Sequence, residues 1–472
     1  MASVQGVHGC KDLHVQVVSR RLVMASDASI EPHVLTVSNL DLLPQTIQVS
    51  MFCVYPKPPA ADFATVIAAF EAGLPSLLNH FFPLAGRIAT SPSSGLPEVH
   101  CSNQGAELVV GEAGVALATL DYADMSASLG RIQLPYAADV ALSVQLVSFA
   151  CGGFTVAWST NHLLVDGCAL SSLVSAWSEL ASSGALSTGS RPSHDRSVFR
   201  PRAAPSYTAA LDEAFTPARA ERQVNVLTHE LSAVERLYYI EASDIARLRE
   251  AASSQNGRRA TRVQAVSAYL WKTLAGVVGT ADPRCRMGWW VNGRPRLTAP
   301  PELRAAMRNY VGNVTTFVVR EERVDEVVRA PLPDVAAMVG EAITAPAYGE
   351  HFQELVDWVE EHKTERYVET ASLGLGSPAM TVSSFASFPT DTDFGFGAAA
   401  MAIPTGTSAA RLCTGFMQIA ARPGGDGSWI ANAFVWPQLA AALESDEPRV
   451  FRPVTAGYLL GLSVPQVGHS RL

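Results

Sequence analysis

The sequence lacks the charge balance and the cysteine spacing of several common protein classes. Its formal net charge is −9, so it has no excess of basic residues with which a nucleic-acid-binding protein would neutralise phosphates. Its seven cysteines are an odd number without a CxxC pair, which argues against a disulfide framework and against a zinc site. We therefore expect reduced thiols and no nucleic-acid partner, while a local basic cluster could still bind a small anionic molecule.

Long apolar runs are missing as well. No segment reaches about 18 consecutive apolar residues, the length at which a membrane-crossing helix is indicated. The first residues, MASVQGVHGCKDLHVQ, lack the apolar stretch of a signal peptide. We expect a cytoplasmic protein without a membrane span. The last three residues, Ser470-Arg471-Leu472, resemble a peroxisomal address, so a peroxisomal location is the alternative.

The motifs of common hydrolases are absent too. There is no HExxH, and His162 and Asp166 have no third ligand at a usable spacing, so we expect no metal. Gly-x-Ser-x-Gly is missing, which disfavours a serine hydrolase of the nucleophile-elbow type. No fixed-period repeat indicates a solenoid or a propeller.

What the sequence does contain is a mixture of strand and helix patterns. Its 472 residues suffice for two or three domains, and 48% hydrophobic with 17% charged residues predict sizeable cores. Strands are predicted over 14–23, 47–54, 285–292 and 314–319, and helices over 62–82 and 262–277. Residues 182–222 are rich in Ser, Pro and Arg without an apolar period, which predicts a long connection between domains.

His162 stands where a strand pattern changes into a helix pattern. Two apolar runs in residues 139–160 flank Ala150-Cys151-Gly152-Gly153, a combination typical of a β-hairpin. The second run ends at His162, and helical spacing begins after Gly167. At such a junction the backbone is held rigidly while a side chain can face a cleft. The sequence therefore predicts His162 as a functional side chain.

The chemistry open to His162 is general-base catalysis. An unperturbed imidazole has a pKa of about 6.5, so it can take a proton from an alcohol or an amine that attacks a thioester. Asp166 is expected to hold the local backbone through a buried salt bridge with an arginine rather than to form a charge relay. No activated nucleophile is evident beside His162, so no acyl-enzyme is expected. The His-x-x-x-Asp spacing is weak alone, since His8 and Asp12 share it.

Further landmarks make the pattern specific. Asp393-Phe394-Gly395-Phe396-Gly397 lies far downstream, and Pro-Leu-Ala-Gly-Arg stands at 83–87. Tyr310-Val311-Gly312-Asn313 and the basic segment 291–296, Val-Asn-Gly-Arg-Pro-Arg, follow in the expected order. With these landmarks and the HxxxDG of residues 162–167, the chain resembles the plant BAHD acyltransferases. Within the family it is most similar to members that acylate coniferyl alcohol.

The resemblance implies an α/β fold of the two-domain chloramphenicol acetyltransferase type. Each domain is expected to hold a mixed β-sheet flanked by helices, with the active-site channel between the domains. We place the N-terminal domain at 1–195, a crossover linker at 196–222 and the C-terminal domain at 223–472. About residues 396–418 of the C-terminal half are expected to join the first domain.

The resemblance also implies roles for individual residues. His162 would face the channel as the catalytic base, and Asp393 would pair with Arg294 or Arg296. The expected structural positions are Asp166, Gly167, Asp393, Gly395, Gly397, Arg294 and Arg296. Acyl-CoA is expected as a co-substrate, with no tightly bound cofactor. The residues expected to bind it are Arg258, Arg259, Thr261, Arg262, Gln264 and Ser383, and most of them lie at a helix start that suits phosphates.

The expected activity is that of an acyltransferase moving groups other than aminoacyl groups. The first hypothesis is transfer from acyl-CoA to the hydroxyl of a small phenylpropanoid-type metabolite. The second is transfer to an amine such as a polyamine or agmatine, for which the acid-rich stretch 350–369 is a candidate channel lining. The third is a catalytically silent, metabolite-binding member. A monomer is expected.

Phe396 replaces the family's usual Trp, so an aromatic ring remains but an indole donor is lost.

Overall fold

A computed structural model describes residues 13–44, 47–217, 233–253, 259–373, 377–389, 392–406, 414–445 and 449–461. In the first part of the chain, the strands are β1 (Val15–Val23), β2 (His33–Thr36), β3 (Gln48–Tyr55), β4 (Arg87–Thr90), β5 (Pro97–Cys101), β6 (Ala106–Ala113), β7 (Leu142–Phe149) and β8 (Phe154–Asn161). The helices are α1 (Asn39–Leu42), α2 (Phe63–His80), α3 (Leu129–Ile132) and α4 (Gly167–Ser183).

The later part of the chain repeats this mixture. Its strands are β9 (Phe215–Pro217), β10 (Val234–Ile240), β11 (Arg284–Asn292), β12 (Thr315–Arg323), β13 (Tyr367–Glu369), β14 (Ala379–Phe385), β15 (Met401–Gly406), β16 (Thr414–Ala421), β17 (Trp429–Val435) and β18 (Arg452–Pro453). Its helices are α5 (Ala209–Ala214), α6 (Ala242–Ala251), α7 (Arg262–Val278), α8 (Pro301–Met307), α9 (Val324–Arg329), α10 (Leu332–Thr344), α11 (Tyr348–His362), α12 (Pro437–Ser445) and α13 (Ala456–Leu460).

Two mixed sheets organise the molecule. The first has the order β1-β6-β7-β8-β3-β15, and the second has the order β12-β11-β14-β16-β17-β10-β18. In the first sheet β6 and β7 run parallel, whereas β7 and β8 form the predicted antiparallel hairpin. In the second sheet β14 runs parallel to both β11 and β16. This is the predicted α/β architecture, with one mixed sheet in each half.

Helix α2 shows why the local patterns were readable. Asp62 caps the helix by accepting a hydrogen bond from the backbone N–H of Thr65 at 2.9 Å. The apolar residues of one helix face are fully buried, namely Val66, Phe70, Leu74, Leu77 and Leu78. Phe70 stacks on Trp177 of α4 with ring centroids 4.6 Å apart, which fixes the two helices on the same side of the first sheet.

The second half of the chain contributes one strand to the first sheet. Strand β15 pairs antiparallel with β3 from Met401–Val54 to Gly406–Val49. Strand β16, which begins at Thr414, pairs with β14 and β17 in the second sheet. The end of the contributed segment was therefore placed too late, because residues 414–418 belong to the second sheet.

The predicted crossover linker has structure of its own. Its residues 196–217 include α5 and β9, and β9 pairs with β13 in a separate two-stranded sheet. A hydrophobic cluster under this region joins residues from distant parts of the chain, including Leu40, Leu211 and Phe352. The last part of the predicted linker, 218–222, lies outside the described residues.

Among the described residues, no helix combines the length and the apolar character that crossing a membrane would require. The five cysteines within the described ranges are free thiols.

Candidate active site

A cavity of about 690 Å³ lies between the two sheets. The first half of the chain contributes His162, Cys168 and Ser50 to its wall, and the second half contributes strands of the second sheet. Aromatic side chains cover much of that second wall, namely Trp290, Phe317, Phe385, Phe388, Phe416 and Phe434. The volume and the largely apolar lining with a few polar groups are typical of small-molecule sites.

His162 follows the last residue of β8, as predicted, and lines the cavity. Its backbone N–H donates to the carbonyl of Ile47 at 2.7 Å, which ties the strand end to the neighbouring chain. Its Nδ1 lies 3.0 Å from Oδ1 of Asn313, a residue of the second half of the chain. The backbone of His162 is therefore held by the first half of the molecule and its imidazole by the second.

The hydrogen bonds of Asn313 determine which nitrogen of His162 carries the proton. The Asn313 Nδ2 donates to the Asp41 carboxylate at 2.9 Å and to the His162 carbonyl at 2.8 Å. Since both partners are acceptors, the amide nitrogen must point to them and the amide oxygen must face the His162 ring. An oxygen acceptor requires a proton on Nδ1. The neutral imidazole then has its lone pair on Nε2, the form that a general base needs.

Asp41 completes this arrangement from α1. It is fully buried, and its carboxylate accepts from both the backbone N–H of Asn313, at 2.8 Å, and the Asn313 side chain. Arg196 neutralises it, with Nε of the guanidinium 2.9 Å from Oδ2. A buried charge without such a partner would be costly, so this contact with Arg196 offsets the burial of the Asp41 carboxylate beneath Asn313.

Asn313 gives the first testable prediction. Asn313→Ala removes the acceptor for Nδ1–H of His162, so the ring can adopt either tautomer and rotate. We expect kcat to fall by roughly 10- to 100-fold. Asn309→Ala is the matched control. Asn309 lies four residues before Asn313, and its side chain donates to the Gly189 carbonyl on the surface. Steady-state kinetics on both variants, with melting temperatures, would show it. An equal fall in both variants would contradict the orienting role.

Asp166 holds the backbone around His162, as the sequence predicted. Its Oδ1 caps α4 by accepting from the N–H of Ala169 at 2.9 Å. Its Oδ2 lies 2.5 Å from Nη1 of Arg294 and accepts from the N–H of Val314 at 2.9 Å. With every strong interaction directed to the backbone or to Arg294, the carboxylate acts as a structural anchor.

The guanidinium of Arg294 donates to several buried acceptors. Besides Asp166, its guanidinium donates to the carbonyls of Tyr310, at 3.0 Å, and Gly312, at 2.9 Å. Burial on its own would lower the pKa of Arg294, but the charge of Asp166 outweighs it and the pKa lies above its usual value. Arg294 therefore stays charged and ties the segment before Asn313 to the start of α4.

The predicted pairing of Asp393 with Arg294 is wrong, because Arg294 is occupied by Asp166. Arg296 has other partners too: its Nη1 donates to the Asn292 carbonyl at 2.8 Å, and its guanidinium lies over the ring of Tyr348. The Asp393 carbonyl accepts from Ser178, twelve residues along α4 from Asp166. Twelve residues of helix are roughly 18 Å long, so Asp393 contacts α4 far from the end that Asp166 caps.

The Asp393–Gly397 motif forms a turn outside the cavity. Oδ1 of Asp393 accepts from the N–H of Gly395 at 2.9 Å and from the N–H of Gly397 at 3.1 Å. Both glycines have φ values of 94–100°, which side chains rarely tolerate. Phe394 is buried among rings of the first domain, and Phe396 packs on Phe394 with centroids 5.1 Å apart. Phe396 is not part of the cavity wall, so its ring supports the turn.

Position 167 requires a glycine because an aromatic ring of the cavity wall lies against it. An added Cβ at this position would lie 2.4 Å from two ring carbons of Phe385, far inside van der Waals contact. Phe385 ends β14 and lines the cavity. The glycine after Asp166 therefore lets a strand of the second domain approach the start of α4 closely.

The residues expected to bind CoA are not all gathered at the cavity. Ser383 lines it from β14. Thr261 and Gln264 form a reciprocal capping box at the start of α7, with the Thr261 N–H donating to Oε1 of Gln264 at 2.7 Å. Arg259 and Arg262 are exposed beside this helix start, and Arg258 lies outside the described residues.

Cys168 contributes a thiol to the cavity wall. Burial raises the pKa of its thiol above the usual value, despite the opposing charge of Arg294. A protonated thiol is a poor nucleophile at neutral pH, so the site offers the chemistry of a base rather than of a covalent intermediate. In the described part of the chain, no group of three or more His, Cys, Asp and Glu side chains is placed to hold a metal ion.

Sequence reasoning missed the roles of Asp41, Arg196 and Asn313. Asn313 stood inside a recognised landmark, but its contact with His162 spans 151 residues of sequence. Asp41 carried one local signal: with Ser38 it forms a capping box, in which Asp41 accepts from the Ser38 N–H at 2.8 Å. That signal predicts a helix start and says nothing about a distant histidine.

Comparison with known proteins agrees with this geometry. A sequence model of the Transferase family matches residues 13–434. The chain is 26% identical over 425 residues to a putrescine hydroxycinnamoyltransferase of Oryza sativa subsp. japonica, covering 83% of this chain and 91% of that protein. It is 24% identical over 379 residues to an omega-hydroxypalmitate O-feruloyl transferase of Arabidopsis thaliana, covering 76% of this chain and 78% of that one.

Solved structures share the fold. Vinorine synthase superposes with a TM-score of 0.66 at 18% identity, covering 93% of this chain and 99% of its own. TRI101 of F. graminearum, crystallised with ethyl coenzyme A, superposes with a TM-score of 0.71 at 15% identity, covering 89% and 98%. At these identities the likeness establishes the two-domain architecture.

Proposed function

Since the chain belongs to the Transferase family of BAHD acyltransferases, we propose that it transfers an acyl group from a CoA thioester to the hydroxyl of a small phenylpropanoid-type metabolite. Family membership makes it an acyl-CoA-dependent acyltransferase that moves groups other than aminoacyl groups. The observation that carries the proposal is the Nδ1–H tautomer of His162, enforced by Asn313 at the wall of the cavity.

The proposed reaction follows from that tautomer. The acceptor oxygen attacks the thioester carbonyl carbon while Nε2 of His162 takes the hydroxyl proton. A new C–O bond forms and a tetrahedral oxyanion results. The oxyanion collapses with cleavage of the C–S bond, and the imidazolium returns its proton to the CoA thiolate. The products are an ester and free CoA thiol, and the histidine ends in its starting state.

Transfer without an acyl-enzyme is supported by the state of Cys168. A covalent route through Cys168 would require an ionised thiol, whereas burial raises the pKa of that thiol. Both substrates must then be bound together. For CoA, we propose Ser383 in the cavity and the basic start of α7, with Arg258, Arg259 and Arg262, for the phosphates.

The aromatic wall favours a ring-bearing acceptor or acyl group. Trp290 and Phe317 lie with ring centroids 5.2 Å apart on the second sheet, and both line the cavity. Offset or edge-to-face contacts with such rings stabilise a bound aromatic ring by about 0.5–1.5 kcal/mol beyond area burial. This supports a phenylpropanoid-type substrate.

An amine acceptor is the second candidate, because carboxylates also line the cavity. They are Glu213, Glu235, Glu321 and Glu369, besides Asp166, which is paired with Arg294. Arg284 and Arg286 each contact Glu321 at 2.6 Å, so that carboxylate already has cationic partners. Within the acid-rich stretch 350–369, Glu369 is the described acidic residue that reaches the cavity. A putrescine and an agmatine hydroxycinnamoyltransferase of rice are among the similar proteins.

The experiment that decides between these acceptors measures release of free thiol and the mass of the product. Acetyl-, malonyl-, benzoyl-, coumaroyl- and feruloyl-CoA would each be offered with 4-hydroxycinnamyl alcohol, putrescine or agmatine. We expect acceptor-dependent thiol release with the alcohol and an ester product. An amide product would establish the second candidate. Binding of CoA without thiol release for any pair would refute both and favour a silent, metabolite-binding member.

We also propose a monomer located in the cytoplasm. The peroxisomal alternative depends on Ser470-Arg471-Leu472, which lies outside the described residues. A fluorescent protein fused before residue 1, with and without the last three residues, separates the two locations. Peroxisomal fluorescence that disappears with the tripeptide would overturn the cytoplasmic assignment.

A further inference from the structure

A second histidine faces the cavity beside a buried hydroxyl. His351 lies on α11 and Thr316 on β12, and both line the cavity. Nε2 of His351 lies 2.7 Å from Oγ1 of Thr316, and Thr316 is 6% exposed. The catalytic scheme makes no use of either side chain, so a polar pair lies in a mostly apolar wall without an assigned role.

This pair is held rigidly. Phe352, the neighbour of His351, packs on the backbone of Gly293, where an added Cβ would lie 2.4 Å from two ring carbons of Phe352. One turn further along α11, the Val356 carbonyl accepts from Nδ2 of Asn39 of α1 at 2.8 Å. Helix α11 is therefore fixed against both halves of the molecule, and a rigid position is what selective recognition needs.

The distance to the catalytic base is limited by the chain itself. Asn313, which contacts His162, precedes Thr316 by three residues, which span at most about 10 Å. One aromatic ring with a short side chain bridges such a distance. A molecule that reacts at His162 can therefore reach the pair with a second polar group.

The pair lies away from the side proposed for CoA. In the second sheet β12 is two strands from β14, which carries Ser383. Adjacent strands are about 4.8 Å apart, so the two positions are separated by roughly 10 Å across the sheet. The pair therefore suits the acceptor better than the thioester.

The chemistry of the pair suits a neutral hydroxyl. Burial lowers the pKa of His351 below its usual value, so the ring is neutral at physiological pH. A neutral imidazole and a hydroxyl each offer a donor and an acceptor. Phe317 follows Thr316 in the cavity wall and would cover the ring that carries such a hydroxyl.

We propose that Thr316 and His351 form a recognition site for a second hydroxyl of the acceptor, at the end of the molecule opposite the reacting group. This inference rests on the proposed function of the cavity and assigns its acceptor class: a bifunctional aromatic alcohol. Thr316 and His351 select that acceptor over an analogue without the distal hydroxyl, because such an analogue offers no partner to the hydrogen-bonding capacity that remains after the two side chains bond each other.

The test measures equilibrium binding, so it does not depend on turnover. Affinities of 4-hydroxycinnamyl alcohol and cinnamyl alcohol would be measured by calorimetry on protein saturated with free CoA. We expect the wild type to prefer the hydroxylated alcohol by roughly five- to tenfold. Thr316→Val and His351→Phe should abolish the preference. Thr316→Ser keeps a hydroxyl and should retain it. His362→Gln is the matched control, since His362 lies on the same helix but stacks on Trp358 outside the cavity.

The outcomes separate this inference from the proposed reaction. Equal wild-type affinity for the two alcohols, binding of neither alcohol, or a preference that survives in Thr316→Val would overturn the recognition site. A preference that depends on the pair, in a protein that releases no thiol, would support the site while refuting the proposed reaction.

Discussion

Replacing His162 with alanine is expected to reduce kcat by 10²- to 10⁴-fold, the range that a positioned general base typically contributes. The variant has no group on this wall segment that could take the acceptor proton, because Asp166 is committed to Arg294 and to backbone N–H groups. The loss should appear in kcat, while the KM for acyl-CoA changes little. Release of CoA thiol under saturating acceptor provides the measurement.

The fold should survive the His162→Ala change. The hydrogen bond to Asn313 that is lost is worth about 0.5–1.5 kcal/mol. His100→Ala serves as the control, since His100 pairs with Glu98 on the surface and lies outside the cavity. Wild-type turnover by His162→Ala, in a preparation free of other enzymes, would exclude His162 as the base.

Replacing Arg294 with methionine is expected to lower the free energy of unfolding by about 3–5 kcal/mol. The loss is large because Asp166 is 1% exposed and would remain as a buried carboxylate without its counter-ion. The carbonyls of Tyr310 and Gly312 would also lose their donor. Urea unfolding followed by fluorescence and circular dichroism measures the change, and agreement of the two signals checks that unfolding is two-state.

Two matched variants show whether burial is the cause. Arg329→Met breaks an ion pair with Asp325 in which the arginine side chain is 72% exposed, and should cost less than about 1 kcal/mol. Adding Asp166→Asn to Arg294→Met should restore part of the stability, because asparagine still caps α4 and carries no charge. If Arg294→Met and Arg329→Met cost the same, the buried pair does not anchor the domain junction.

Local patterns predicted much of the secondary structure. Helix α2 and the β7–β8 hairpin were readable because each shows a single periodicity, which reports the face that is buried. Helix α7 was readable for the same reason, and its Thr261–Gln264 capping box marks its start. Such signals depend on residues a few positions apart, so they predict an element without its partner.

Contacts between distant segments could not be read from periodicity. The Arg294–Asp166 pair spans 128 residues, and the sequence predicted an arginine partner for Asp166 without saying which one. Asp393 was instead expected beside Arg294 or Arg296, because the family resemblance implied that pairing. In the structure Asp393 is exposed, whereas Asp166 and Arg294 are both buried. The packing of the two halves decides the partner, since the turn after β11 lies against the start of α4, where Asp166 caps the helix.

The contacts of Asp166 have a consequence for synthesis of the protein on the ribosome. Asp166 and His162 are translated with the first half, but Arg294, Asn313 and Val314 come from the second. A nascent chain that has been made as far as β8 and α4 therefore carries its histidine without the amide that orients it. The oriented catalytic base therefore forms late in synthesis, after residues beyond 314 have left the ribosome and packed against the first half.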